Sequence, residues 1–273
     1  NETETFIESI NEIKEKLIKV SLIFADESER IKLPKDKELY LGSNDTDEDQ
    51  DLDEMDKNYE SNFALHSILE IVNNSDFTFS DGIIRDIHLN LKALEDKHFV
   101  ILNGISGTGK TKLCNIYANA VYGLNYDDEN PYFKIIPVRP DWIDSTSLFG
   151  YYSSIEEKFI KTEFLEMIES ALEERSKPHF IVLDEMNLAR VEYYLSDYLS
   201  AVESGKTIRL HSVDTEVSVP KEIEIPPNVY ILGTVNVDET THSISDKVLD
   251  RAFVMTLSDV DLKGYWKNKR TDF

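Results

Sequence analysis

The chain has 273 residues, 41% of them hydrophobic, enough to build the core of one large or two ordinary domains. Its formal net charge of −24, from 53 acidic against 29 basic residues, repels a phosphate backbone and counts against extensive direct contact with DNA. There is no run of about 18 apolar residues and no basic, apolar leader, so a cytoplasmic rather than membrane or secreted protein is expected, and the lone Cys114 rules out an intrachain disulfide or a cysteine-clustered zinc site.

Near the start, Phe6, Ile10, Ile13, Leu17, Val20 and Phe24 recur three or four residues apart, which lines them along one face of a helix. Such a stripe serves either packing or docking to a partner. Pro34 and Gly42 end the pattern. Residues 44–60 then carry nine acids (Asp45, Asp47, Glu48, Asp49, Asp51, Asp53, Glu54, Asp56 and Glu60) against Lys57, too little apolar surface to order a segment. The expected layout is an N-terminal helical segment (1–43), an acidic flexible linker (44–60) and a main domain (61–273).

A short helix is expected from Phe63 to Asn73. Ser80 then caps a second one carrying Ile83, Ile84, Ile87, Leu91 and Leu94 at helical spacing. Next comes the most informative stretch, Val100-Ile101-Leu102-Asn103-Gly104-Ile105-Ser106-Gly107-Thr108-Gly109-Lys110-Thr111, an apolar strand running into G-x-x-x-x-G-K-T. Its glycines let the backbone turn tightly and aim N–H groups at a triphosphate. Lys110 adds a mobile positive charge, and Thr111 a hydroxyl for Mg²⁺. Residues 77–84, which lead toward this strand, are candidates for contact with the base; Phe77 and Phe79 fit a core equally well.

Beyond the loop, a helix over 112–122 ends at Gly123, and residues 133–138 read as a second buried strand. A hairpin around Ile155-Glu156-Glu157 precedes a helix over 163–175. His179-Phe180-Ile181-Val182-Leu183-Asp184-Glu185 is an apolar strand ending in adjacent acids: after a P-loop, Asp184 is placed to hold Mg²⁺ and Glu185 to polarise an attacking water. One helix is expected over 191–204, capped by Gly205. Residues 207–210 and 216–219 are expected to pair as a second hairpin. Val229 to Asn236 is a further buried strand whose terminal amide could orient water or touch a γ-phosphate. A helix over 243–251 and a strand over 253–257 close the pattern.

Five strands separated by helices, with the P-loop, Asp184-Glu185, Asn236 and Arg251 in that order, resemble an AAA+ module over residues 77–258. The implied fold is α/β: an AAA+ P-loop three-layer αβα sandwich with a central five-stranded parallel sheet, β-hairpin inserts and N-terminal helices. More narrowly, Val138-Arg139-Pro140-Asp141-Trp142, Leu183-Asp184-Glu185-Met186-Asn187-Leu188-Ala189-Arg190 and Gly233-Thr234-Val235-Asn236 resemble the McrB-like branch, nucleotide-driven subunits of modification-dependent restriction systems. That resemblance implies a hydrolase of ATP or GTP, dependent on Mg²⁺, in a hexameric ring with nucleotide between neighbours. It further implies a McrC-like nuclease partner in antiphage defence, with DNA engaged indirectly or through other domains.

By the same resemblance, Gly104, Ser106, Gly107, Thr108, Gly109, Lys110, Thr111 and Lys112 hold the nucleotide, and Thr111 and Asp184 hold the metal. Lys110, Glu185, Asn236 as sensor I and Arg251 as an arginine finger into the adjacent subunit carry the chemistry. Two departures matter. Asn236-Val237-Asp238-Glu239 stands where members that use GTP carry Asn-Thr-Ala-Asp, so base choice stays open, and Asp250-Arg251 replaces the usual arginine pair. Since Phe273 follows the last expected strand closely, the helical lid of such modules is expected to be missing from this chain. A nucleotide-gated assembly scaffold with little turnover and a MoxR-like chaperone ATPase are the alternative functions.

Overall fold

Alternating side chains on a strand face opposite sides of its sheet, so strands that are apolar throughout require cover on both faces. The computed structural model describes residues 59–257 apart from 76, 78, 96, 214–216 and 238–241. The expected N-terminal amphipathic helix, the acidic run as far as residue 58, the fragment Asp238-Glu239 and the tail beyond Leu257 lie outside those residues.

In chain order the elements are α1 (Leu65–Asn73), α2 (Asp81–Lys92), β1 (Phe99–Gly104), α3 (Lys110–Val121), β2 (Phe133–Pro137), α4 (Thr146–Phe149), β3 (Tyr151–Ser153), β4 (Lys158–Ile160) and α5 (Glu163–Glu173). Then follow β5 (His179–Asp184), a 3₁₀ turn (Met186–Leu188), α6 (Val191–Tyr194), α7 (Ser196–Ser204), β6 (Ile208–Arg209), β7 (Glu222–Ile223), β8 (Val229–Asn236), α8 (Asp246–Leu249) and β9 (Phe253–Thr256). Five strands form one sheet in the order β2-β5-β8-β1-β9, and all four neighbouring pairs are parallel.

Both faces are covered. Val100 and Leu102 of β1, Phe180 and Val182 of β5 and Leu232 of β8 pack with Ile68, Ile84, Ile87, Leu91, Leu113 and Tyr117 from α1, α2 and α3. The alternate residues, Ile101, Ile181, Leu183 and Ile231, pack with Phe164, Leu165 and Ile168 of α5 and Tyr198 and Leu199 of α7. Each fully buried aliphatic side chain contributes roughly 1.5–3 kcal/mol relative to leaving it in water, so these two layers dominate the stabilisation of the sheet.

Polar side chains close the helix ends. The Ser80 hydroxyl accepts from the Ile83 N–H at 3.4 Å and starts α2, and Thr162 does the same for Leu165 at 3.3 Å in α5. Asn228 lies just before β8. Its amide donates to the carbonyls of Ala171, Glu174 and Lys177 at 2.9, 3.2 and 2.8 Å, satisfying acceptors that the end of α5 leaves over and tying that helix to the sheet.

Three expectations need correction. Leu94 falls beyond α2 and is 44% exposed, because the helix ends before the turn that would have carried it inward. The segment over 191–204 is two helices: Leu195 departs from helical backbone while the Tyr194 hydroxyl donates to the Met186 carbonyl at 2.9 Å and its ring packs edge-on against Trp142. The second hairpin exists, but β6 pairs with Glu222–Ile223 rather than with residues 216–219. Opposing Ile208 and Ile223 are both buried, and that burial sets the register; the alternation at Val217 and Val219 belongs to the loop between.

One buried histidine carries a pH prediction. His88 lies between α2 and α3 with Nδ1 3.0 Å from the Tyr117 hydroxyl, and burial, aided by the Lys92 charge, pushes its pKa down to about 4 from 6.5. The folded chain therefore holds it neutral where the unfolded chain protonates it. Its contribution is complete above 6.5 and is lost as pH falls toward about 4. In urea unfolding from pH 7 to 4, His88→Gln should lose stability less steeply than the wild type; parallel curves would remove His88 from the acid response.

Candidate nucleotide site

The sheet register gathers the site. Strand β1 lies between β8 and β9, with Gly104 opposite Asn236, and β5 flanks β8 on its other side with Leu183 opposite Gly233. The C-terminal ends of β1, β5 and β8 therefore meet at one edge. The chain leaves β1 for the far strand β2, and such a crossing point in an open parallel sheet is where ligands bind.

The loop from Gly104 to Gly109 turns there into α3. Gly107 and Gly109 have φ of 82° and 81°, left-handed values that side chains rarely adopt. Ile105, Ser106 and Gly107 are exposed, and the Thr108 hydroxyl donates to the Ile105 carbonyl at 3.0 Å. Lys110, at 5% exposure, is the only buried lysine or arginine among the described residues. Its ammonium turns back into the loop and donates to the carbonyls of Gly104 and Ile105 at 3.0 and 2.7 Å. A positive charge and the N-terminal end of a 12-residue helix thus converge on one short loop, an arrangement that favours anions.

Behind the loop runs a connected set of side chains. The Thr111 hydroxyl donates to Asp184 Oδ1 at 2.6 Å, and the Thr234 hydroxyl donates to the same oxygen at 2.7 Å. The Glu185 N–H donates to Thr234 Oγ1 at 2.8 Å, and the Asn236 amide donates to Glu185 Oε1 at 2.9 Å. Asn187 holds the far side, its amide donating to the Asn236 carbonyl at 2.8 Å. Glu185 itself adopts φ 50°, ψ 46°, a left-handed conformation uncommon for a residue with a side chain.

No family model matches the chain. It is similar to pachytene checkpoint protein 2 homologs: 28% identity over 200 residues with that of Danio rerio, covering 72% of this chain and 40% of the relative. With that of Arabidopsis thaliana the identity is 28% over 166 residues, 61% and 31% of the two chains. It is also similar to the type IV methyl-directed restriction enzyme EcoKMcrB subunit of Escherichia coli (strain K12), at 25% over 173 residues, 60% and 36% of the two. The matches thus span well under half the length of these relatives. Topology and likeness agree. The fold is that of an AAA+ P-loop module.

The likenesses support the AAA+ family without singling out its McrB-like branch. Within this fold, the structure brings Lys110, Thr111, Asp184, Glu185 and Asn236 to one edge, and it leaves two expected residues apart. Lys112 directs its ammonium over the Phe77 ring, 4.8 Å from the centroid. Arg251 donates to the Lys247 carbonyl at 2.6 Å and forms an ion pair with Glu203, so its guanidinium is engaged outside the cluster. Of the two aromatic candidates for the base, Phe79 rests against the loop, since a Cβ built on Gly109 would lie 3.5 Å from its ring. Phe77 packs edge-on with Tyr126 at 4.7 Å.

Two members of the cluster escaped the sequence reading. Thr234 is a polar residue within an apolar strand and shares the facing of Asn236 at a spacing of two, a signal that could have found it. Asn187 follows Asp184-Glu185 in a 3₁₀ turn, whose direction a strand pattern does not give. No helix among the described residues is long and apolar enough to cross a membrane.

Proposed function

We propose that this AAA+ module hydrolyses ATP or GTP with Mg²⁺ at a site shared between neighbouring copies in a ring. The observation that supports it is the continuous hydrogen-bonded set from Thr111 through Asp184, Thr234 and Glu185 to Asn236, placed behind a loop that concentrates positive charge. Thr111 and Asp184 offer adjacent oxygen donors, the kind a hard divalent cation takes. Mg²⁺ bound there would neutralise charge on the β- and γ-phosphate oxygens. Lys110 and the loop N–H groups bind the triphosphate, Glu185 accepts a proton from water, and Asn236 orients that carboxylate.

In the fuller reading, the ring is hexameric and is the motor or regulatory subunit of a restriction system, with a McrC-like nuclease as partner. Residues 1–43 and the acidic run then form an N-terminal extension to a nucleotide-binding domain over 61–273. Because the likeness to pachytene checkpoint protein 2 homologs stands beside that to the McrB subunit, a second reading is kept, a MoxR-like chaperone ATPase that remodels proteins. A nuclease subunit co-purifying with the chain decides for the first.

Phosphate release from ATP and GTP, measured side by side in Mg²⁺, tests the core proposal and the base choice together. Lys110→Ala should lose nucleotide affinity by at least about tenfold, the scale of a charged hydrogen bond, and turnover with it. Turnover that survives this substitution would sink the proposal.

A further inference from the structure

The hydrolase reading assigns work to Asp184, Glu185 and Asn236 but none to Thr234, which is 2% exposed at their centre. A threonine hydroxyl has one proton to give and lone pairs to receive with. Here both are used on consecutive residues where β5 ends: the proton goes to Oδ1 of Asp184, the last residue of the strand, at 2.7 Å, and a lone pair takes the N–H of Glu185 just after it at 2.8 Å. The other bond to that carboxylate oxygen comes from Thr111 of the P-loop. Thr234 therefore supplies a tie to Asp184 that does not depend on the loop, from a strand paired directly with both β1 and β5.

Geometry gives that tie a purpose. Glu185 leaves the strand in a left-handed conformation, which persists only where its surroundings impose it. Its N–H is fixed by Thr234, and its carboxylate is fixed by Asn236 two residues further along the same strand. Gly233, just before Thr234, leaves room for the turn: a Cβ there would lie 2.2 Å from Met186 Sδ. We infer that Thr234 is a positioning residue for hydrolysis, its hydroxyl locking the metal-side acid Asp184 and the backbone of Glu185 into one unit that aims the Glu185 carboxylate. The inference rests on the hydrolase reading, and its test separates the two.

Thr234→Val keeps shape and burial and removes both bonds, while Thr234→Ser keeps the hydroxyl. With valine, kcat should fall about 10- to 100-fold, the usual cost of losing a group that orients the acting residues, with nucleotide Kd within about twofold; serine should return kcat to within about threefold of wild type. A second readout needs no turnover. In the nucleotide-free chain, hydrogen exchange at the Glu185 amide should speed up about tenfold or more in the valine variant and stay slow in the serine variant. Unchanged kcat and exchange in Thr234→Val would overturn the inference. So would failure of serine to rescue, or a loss of kcat matched by equal losses of nucleotide affinity and melting temperature. A wild-type chain that hydrolyses nothing while the exchange contrast holds would sink the hydrolase reading and leave the lock itself standing.

Discussion

Glu185→Gln should bind nucleotide as the wild type does and hydrolyse it about 10²–10⁴-fold more slowly, the contribution of a positioned general base. The substitution preserves volume, and the glutamine oxygen can still accept from the Asn236 amide where Glu185 Oε1 does so at 2.9 Å. What it removes is the carboxylate that, in the proposed reaction, takes a proton from water. Because Glu185 is exposed at the end of β5 while Asp184 beside it is half-buried and bonded to Thr111 and Thr234, the two acids have separate environments. That difference is what the proposed division of labour, Asp184 on metal and Glu185 on water, requires. Single-turnover phosphate release alongside a fluorescent-nucleotide titration checks this. Unchanged turnover would remove Glu185 from the mechanism, and lost binding would make it a structural residue.

Arg251→Ala carries the other large effect, a loss of about 10³-fold or more in turnover with nucleotide affinity nearly intact, as for an arginine that acts only on charge developing during phosphoryl transfer. In the single chain this guanidinium engages Glu203 and the Lys247 carbonyl, while its Nε is buried with no hydrogen-bond partner among the described residues. These partners among the described residues lie outside the cluster of Lys110, Thr111, Asp184, Glu185 and Asn236, and the proposed role has Arg251 serve a neighbouring copy. The bland alternative is a helix-end ion pair, and Glu203→Ala separates the two. Glu203 is 61% exposed, so as a surface pair it is worth about 0–1 kcal/mol and its loss should leave turnover within about twofold. Equal damage from both substitutions would reduce Arg251 to structure.

Much of this arrangement can be read from the chain because parallel strands buried on both faces leave unbroken apolar runs. Val100–Leu102, Phe180–Leu183 and Val229–Leu232 declare themselves without any alternation. Chemistry placed just past such a run, as with Gly104–Thr111 and Asp184-Glu185, is then legible by offset alone. Tertiary contacts are less so. Nothing local announces that α6 and α7 part at Leu195, since the cause is Tyr194 reaching the Met186 carbonyl and Trp142. Val217 and Val219 alternate as well as the segment around Ile223 does, and only burial opposite Ile208 decides which of them is the return strand of the second hairpin. Lys112 follows the motif in sequence, yet its position on α3 turns it toward Phe77. Thr234 lay in view beside Asn236, but its role depends on which strand is its neighbour, and that is a property of the sheet order.

A site built by two subunits is tested most directly by mixing two inactive variants. Glu185→Gln chains keep Arg251, and Arg251→Ala chains keep Glu185. A site with both groups therefore forms wherever an Arg251→Ala subunit receives the arginine of a Glu185→Gln neighbour. In randomly mixed equimolar rings that is about a quarter of the interfaces. Phosphate release should be near zero for either variant alone and recover to about a quarter of the wild-type rate when the two are mixed before assembly. A mixture as silent as its components, in rings shown to contain both chains, would contradict a shared site.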